Sequence, residues 1–315
     1  MRYLVLGAGA LGSVFGGLLA RKGHDVSFVG MDDHLRAMQQ KGLRITGIWG
    51  ESYIEKIHAY YGVRELDGTY DIVFFSVKSY LTKEVIKQVL PFIHKDTLVF
   101  SIQNGLGNWE SIAEAVGWER TIGARIIFGA EISEPGTARV TVYADKVFIG
   151  SPAGEAPSER IKKVCRHLND AGIPTDTTNE IYTYIWGKVL YNSALNPLGA
   201  ILNVPYGFLK DVPEIRELIQ KIIQEIFAVA KAKGVRLSYE SPEEYYRFLM
   251  DTQLPPTSTH RSSMLQDMEK GRLTEIDSLN GAISRYGREL NIPTPANDVL
   301  TKIIKAIEEK NAQGV

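Results

Sequence analysis

Residues 2–12 read Arg2-Tyr3-Leu4-Val5-Leu6-Gly7-Ala8-Gly9-Ala10-Leu11-Gly12. An apolar strand runs directly into a glycine-rich turn, and the apolar residues beyond it continue as a helix to about Ala20. This is the setting that the dinucleotide-binding fingerprint requires. The first glycine permits the tight turn, the second lets backbone N–H groups approach a pyrophosphate, and the third lets the helix pack on the strand. The helix N-terminus adds partial positive charge where phosphates would lie. Gly7, Ala8, Gly9, Ala10, Leu11 and Gly12 are therefore candidate cofactor contacts.

A secretory leader is the rival reading of the same stretch, since Leu4 to Ala20 is apolar and ends in Arg21-Lys22. Five glycines (Gly7, Gly9, Gly12, Gly16 and Gly17) would weaken a leader helix, and His24-Asp25-Val26-Ser27-Phe28-Val29 resumes as a strand. No leader is expected. No other apolar run approaches the roughly 20 residues that span a bilayer, so a soluble, cytoplasmic protein is expected. A net charge of -1 offers no electrostatic case for nucleic acid or an anionic membrane. Cys165 is the only cysteine, which excludes an intrachain disulfide, and the six histidines are scattered, so no metal site is expected.

Outward from the turn, short β-rich runs alternate with helical patterns: residues 2–6, 25–29, 71–77, 97–102, 121–127 and 140–149. That alternation predicts an α/β fold with a doubly wound, mainly parallel Rossmann sheet, and antiparallel additions around Pro135-Gly136 and in 43–60. After Asn179 the strand signals fade. Helices are predicted at 181–196, 213–233, 241–251, 262–270, 275–290 and 296–311. The expected organisation is a dinucleotide-binding domain over 1–179 and an all-helical substrate and catalytic domain over 180–315. The helix at 213–233 has apolar face enough to pack internally or across a homodimer.

Ligands of doubly wound sheets lie at the carboxyl ends of the strands. Lys78 follows the strand at 71–77, and Gln103-Asn104-Gly105 follows the strand beginning near Thr97. Taken alone, the first is a solvated strand end and the second a turn. The helix from Ile181 carries a more specific pattern. Lys188, Asn192 and Asn196 are spaced i, i+4, i+8, one line on an otherwise apolar helix. A lysine among Ile185, Trp186, Val189 and Leu190 needs a partner or a cavity, and lost solvation would lower its pKa toward a range useful for proton transfer. Three polar residues in register there predict one wall of a polar pocket. Further on, Ser262-Ser263 and Thr274-Glu275 read as helix starts.

The glycine turn, Val77-Lys78, Gln103-Asn104-Gly105, Lys188 with Asn192 and Asn196-Pro197-Leu198, Ser263-Met264-Leu265-Gln266-Asp267 and Thr274-Glu275-Ile276-Asp277 occur in this order over residues 1 to about 300. As a set they resemble the ketopantoate reductase (2-dehydropantoate 2-reductase) family. The resemblance implies a Rossmann domain, a helical C-terminal domain, and NADPH-dependent reduction of 2-dehydropantoate to (R)-pantoate on the route to pantothenate and coenzyme A. It implies Lys188 as proton donor, and Asn104, Asn192, Asn196 and Ser263 as substrate contacts. Lys78 and Glu275 would line the cofactor and substrate cleft, with Glu275 also catalytic and Asn104 also touching the cofactor.

Three positions depart from the family pattern. Tyr206 and His260 stand where best-known members have asparagines, and Met31 stands where they have a phosphate-binding arginine, with Asp32 beside it. Two alternatives follow: a reductase of another small 2-keto acid, using NADH as well as NADPH, or a nicotinamide sensor without catalysis. A sensor needs the glycine loop but no proton donor.

Overall fold

The computed structural model describes residues 1–314. The chain forms two compact units, Met1–Gln103 with Asn108–Ile181, and Asn104–Gly107 with the chain from Tyr182 onward. The short segment 104–107 thus packs with a unit whose other residues begin far along the sequence.

The first unit runs β1 (Arg2–Leu6), α1 (Ala10–Arg21), β2 (Asp25–Val29), α2 (Asp33–Lys41), β3 (Leu43–Gly47), β4 (Ser52–Ile54), β5 (His58–Tyr60) and β6 (Tyr70–Phe75). It continues with α3 (Thr82–Val89), β7 (Ile93–Ser101), α4 (Asn108–Val116), β8 (Thr121–Arg125), β9 (Phe128–Glu134), β10 (Thr137–Tyr143), β11 (Val147–Gly150), α5 (Glu159–Asp170) and β12 (Thr175–Thr177). Eight strands form one sheet in the order β12-β11-β8-β7-β6-β1-β2-β5, parallel except at β8–β11. Four form a second, β4-β3-β10-β9, which holds the antiparallel β9–β10 and β3–β4 pairs.

Alternation along β1 shows why the large sheet is wound on both faces. Tyr3 and Val5 join the cluster containing Phe15 of α1, while Leu4 and Leu6 join Ile86 and Val89 of α3 and Ile112 of α4. The run predicted at 140–149 is two strands, not one. Between them Asp145 accepts a hydrogen bond from the buried Arg125 at 2.9 Å, anchoring a turn that carries the chain from the small sheet to the large one. β6 ends at Phe75, earlier than predicted, and β7 starts at Ile93 rather than Thr97.

The glycine turn divides its labour. Gly7 has φ +96°, and the N–H groups of Gly7 and Ala8 donate to the Val29 carbonyl at 2.9 and 3.1 Å. A Cβ at Gly7 would lie 2.6 Å from the Val77 nitrogen, and one at Gly12 only 2.2 Å from the Gly7 oxygen. These glycines close the turn. Gly9 is the N-cap of α1, in ordinary extended backbone, and a Cβ there would meet no protein atom within 4 Å.

The second unit contains α6 (Ile181–Leu202), α7 (Tyr206–Asp211), α8 (Pro213–Ala232), α9 (Pro242–Phe248), α10 (Ser263–Glu269), α11 (Asn280–Leu290) and α12 (Pro295–Ala312). Among the described residues no strand follows α6, as the fading strand signals predicted. α6 runs six residues past the expected end at Asn196, straight through Pro197. Proline lacks the N–H that would bond the Ser193 carbonyl. The buried Asn280 side chain supplies that donor, at 3.0 Å from the Ser193 oxygen. Asn280 also donates to Asn297 Oδ1 at 3.0 Å, and Asn297 Nδ2 donates to Glu225 of α8 at 2.7 Å.

On α8, Ile219, Ile222, Ile226 and Val229 are buried as predicted, with Ile223 and Ala230, while Ile215 and Leu218 are half-buried. The predicted helix at 275–290 is broken. Ile276–Ser278 forms a single tight turn, and α11 starts only at Asn280 after Leu279 leaves helical backbone. Glu275 therefore precedes that short turn and does not sit at the positive end of a long helix.

Two outcomes follow. Asn280→Leu removes the donor to the Ser193 carbonyl and should cost about 1–3 kcal/mol, read by urea unfolding; a change within ~0.5 kcal/mol would show that α6 tolerates Pro197 unaided. Gly9→Ala should melt like wild type yet bind a nicotinamide dinucleotide roughly tenfold or more weakly, about 1.4 kcal/mol, whereas Gly12→Ala should lose stability first. Fluorescence titration with the reduced cofactor and a melting curve separate the two, and equal behaviour of both variants would refute the division.

Candidate active site

The candidate residues fall into two sets, one in each unit. In the first unit, the turn Gly7–Gly12 ends at α1, whose N-cap has no side-chain hydrogen bond. The first intrahelical donor is Ser13, bonded to the Gly9 carbonyl at 2.8 Å. The earlier N–H groups of the first turn point out along the axis, as in any helix start, with the partial positive charge of the dipole behind them. Open space over Gly9 and this row of donors fit a pyrophosphate. Ala8 is buried with its N–H spent on Val29, so it shapes the turn from beneath. Among the described residues no group of three or more metal-binding side chains occurs.

At the end of β2, Met31 is 83% exposed and offers no charge. Asp32 caps α2 by accepting from the Leu35 N–H at 3.0 Å. His34 is buried, its Nδ1 accepting from the Gly136 N–H at 3.0 Å and its Nε2 lying 2.9 Å from Ser13 Oγ. Burial holds its pKa below the usual histidine value, so it is a neutral packing group. Arg36 is exposed and paired with Asp33 at 3.4 Å.

Lys78 is half-buried just past β6, at the head of the tight turn Ser79–Leu81. Gln103 has a role that its sequence did not reveal. It is buried, its Nε2 donates to the Val77 carbonyl at 2.8 Å and to Thr82 Oγ1 at 2.6 Å, and its Oε1 accepts from Ser101 at 3.0 Å. It ties the ends of β6 and β7 together.

The second unit holds a small pocket lined by Asn104, Asn192, Asn196, Ser263, Met264, Asp267, Glu275 and Leu279. All four asparagine and serine positions singled out from the sequence meet there, with Glu275. Lys188 stands one hydrogen bond behind the wall, its Nζ donating to Asn104 Oδ1 at 2.7 Å. The i, i+4, i+8 line on α6 is real: its flanking residues Ile185, Trp186, Val189, Leu190, Ala194 and Leu195 are buried, and the polar row emerges between them. Asn104 reaches the pocket because Gly105 adopts φ +82° and its α-carbon approaches Ser278 so closely that a Cβ would lie 2.4 Å from the Ser278 oxygen. The Leu106 N–H donates to that same oxygen at 2.7 Å.

Ser263 is the first residue of α10, while its neighbour Ser262 is the cap, accepting from the Leu265 N–H at 3.0 Å. Asp267 was missed as a pocket residue, although its i+4 spacing from Ser263 would have put both on one face. Asn196 is buried and its Oδ1 accepts from Tyr206 Oη at 2.6 Å. His260 lies against the Tyr206 ring, 5.2 Å between centroids, and takes no place in the pocket lining.

Comparison with known proteins agrees with both halves. The chain matches the family described as "Ketopantoate reductase PanE/ApbA" over residues 3–154, and the family described as "Ketopantoate reductase PanE/ApbA C terminal" over 180–308. The 2-dehydropantoate 2-reductase of Aquifex aeolicus is 40% identical over 308 residues, covering 98% of this chain and 97% of the relative. A PanE/ApbA family ketopantoate reductase structure from Ralstonia eutropha superposes with TM-score 0.89 at 30% identity, covering 99% of this chain and 100% of that one. A ternary structure of D-mandelate dehydrogenase with NADH and anilino(oxo)acetate superposes with TM-score 0.87 at 26% identity, covering 99% and 100%. With both family matches and a relative 40% identical over 98% of its length, the chain belongs to the ketopantoate reductase family.

Proposed function

We propose that the protein is a 2-dehydropantoate 2-reductase, reducing the 2-keto group of 2-dehydropantoate to (R)-pantoate with a nicotinamide dinucleotide. The observation that carries the reading is the pocket, in which Asn104, Asn192, Asn196, Ser263 and Glu275 converge beside Lys188. Relatives of matching length carry that name.

The reduced nicotinamide, when bound, supplies the hydride. As C2 of the acid becomes tetrahedral, its oxygen gains negative charge. The Lys188 ammonium stabilises that charge and transfers a proton to the oxygen, which leaves a neutral amine to be reprotonated from solvent. Asn104 positions the ammonium through its amide oxygen, while its N–H groups are donors of the kind a carboxylate or ketone oxygen needs. Asn192, Asn196 and Ser263 hold the acid, and Glu275 accepts a hydrogen bond from a substrate hydroxyl. Asp267, at the base of α10, shares the pocket with them. Lys78, past the carboxyl end of β6, serves the cofactor.

The second reading is a reductase of another small 2-keto acid. Tyr206 and His260 favour it, since they replace family asparagines, as does the likeness to a D-mandelate dehydrogenase. Absorbance assays of NADPH and NADH with 2-dehydropantoate, pyruvate and phenylglyoxylate separate the two readings by the ratio of kcat/KM.

Lys188→Ala should lower kcat by roughly 10²- to 10⁴-fold while cofactor binding persists, and Glu275→Gln should depress turnover with little change in melting. Lys78→Ala should weaken cofactor binding first. A Lys188 variant that keeps most of its turnover, beside a Lys78 variant that loses it at unchanged cofactor affinity, reverses the donor assignment.

NADPH is proposed as the first cofactor on the family's pattern, with discrimination against NADH smaller than roughly hundredfold in kcat/KM, about 2.7 kcal/mol. Met31 brings no cation to a 2′-phosphate, Asp32 would repel one, and His34 is buried and neutral. A larger preference for NADPH would assign the phosphate to Arg36, and Arg36→Ala would then abolish it.

A further inference from the structure

We infer that Tyr206 is a positioning residue for substrate recognition, acting through Asn196 to decide which end of that amide the pocket sees. The inference rests on the proposal that the pocket in the second unit holds the substrate acid.

A side-chain amide has an acceptor end and a donor end, and rotation by half a turn about its last bond exchanges them. A pocket asparagine left to itself can therefore present either. Asn196 cannot. Its Oδ1 accepts from Tyr206 Oη at 2.6 Å, and both side chains are buried, with 3% and 2% of their surfaces exposed. Burial keeps the Tyr206 phenol protonated, far from the range where it would ionise, so it remains a donor at every working pH. Turning the amide over would let its N–H donate to the phenol oxygen but would take away the acceptor that the buried Tyr206 O–H now has, leaving that donor mismatched. Asn196 lines the pocket and Tyr206 does not, so the Nδ2 end is the one aimed at the ligand.

Tyr206 is itself held from every side. Its N–H donates to the His260 carbonyl at 3.1 Å, the neighbouring Gly207 N–H donates to the Ser258 carbonyl at 2.7 Å, and its ring meets Tyr191 edge-on at 5.7 Å and His260 at 5.2 Å. Tyr191 is anchored in turn through Thr257 Oγ1 at 2.9 Å. The two positions that depart from the family's asparagines, 206 and 260, thus form one unit that fixes the polarity of a third residue. Asn196 is set to read an oxygen with lone pairs, a carboxylate or ketone, and to reject a ligand group that must donate there.

The test is a double-mutant cycle on the full-length enzyme with 2-dehydropantoate as variable substrate. Tyr206→Phe should raise KM roughly tenfold, the scale of a lost buried hydrogen bond, with kcat changed much less and NADPH affinity, by fluorescence titration, unchanged. In the Asn196→Ala background the same substitution should add nothing. A KM for Tyr206→Phe within about twofold of wild type, or penalties that multiply in the double variant, overturns the inference.

Asn196→Asp covers loss of fold in the phenylalanine variant, because it keeps the acceptor for Tyr206 and exchanges only the donor for an anionic oxygen. It should weaken the acid at least as much, and an unchanged KM overturns the inference. If wild type does not turn over 2-dehydropantoate at all, the proposed function fails separately. The inference is then read from the Asn196 side-chain amide pair in a ¹⁵N-asparagine spectrum, assigned by its loss in Asn196→Ala: a pair unmoved by Tyr206→Phe overturns it, and a shifted, faster-exchanging pair supports it.

Discussion

The hydrogen bond from Asn280 to the Ser193 carbonyl keeps α6 continuous where a proline interrupts its own ladder. Without a donor at that carbonyl the helix would bend or stop near Pro197, and the last residue of the polar row, Asn196, would leave the line set by Lys188 and Asn192. The donor does not stand alone. Asn297 orients Asn280, and Glu225 orients Asn297 while accepting from the backbone N–H groups of Ala296 and Asn297 at 2.8 and 3.0 Å. A carboxylate on α8 and two buried amides thus brace from behind the helix that supplies Asn192 and Asn196 to the pocket. The Asn280 amide nitrogen finds two acceptors, whereas its buried Oδ1 has no hydrogen-bond partner, so the network carries one polar atom whose lost hydration is not made good.

In the first unit the equivalent restraint is steric. Gly7 and Gly12 are glycines because neighbouring backbone occupies the space a Cβ would need, and Gly9 is one although the protein leaves that space open. Gln103 joins the ends of two adjacent strands through side-chain bonds alone, so the carboxyl edge does not rest on the sheet ladder by itself. Packing fixes the floor of this site and electrostatics its character: uncapped helix donors face one way, and the end of β2 carries an acidic cap and an uncharged thioether.

Much of the site was legible in the sequence because the relevant signals are local. The i, i+4, i+8 line on α6 is a statement about helical period, and the glycine turn a statement about three spacings. The pocket residues 192, 196 and 263 followed from such patterns or from the family resemblance. The end of α6 was misplaced at Asn196, since the amide that rescues Pro197 lies on another helix and carries no mark of its partner. Thr274-Glu275 reads as a long helix start, but Thr274 Oγ1 accepts only from the Ile276 N–H, at 3.2 Å, and Glu275 itself heads the short turn; the break at Leu279 is a backbone event that residue types do not announce. The tie made by Gln103 and the bond from Tyr206 to Asn196 were illegible for the same reason. Each depends on which atom of a side chain faces which, and only three-dimensional placement decides that.

The bond between Asn104 and Lys188 spans 84 residues of chain. During synthesis Asn104 leaves the ribosome long before the helix that carries the lysine exists, so this wall of the pocket can close only as a late, long-range event, after the entropy of a large loop has been overcome. The helical unit is also not a transplantable module. A gene fragment beginning at residue 182 would encode the helices α6 to α12 and the whole polar row, yet lack the four-residue insert that seats the lysine. Recombination between related enzymes at the apparent boundary would therefore carry Asn104 from one parent and Lys188 from the other, and the bond between them in the chimera would depend on how faithfully each parent shaped the turn at Gly105.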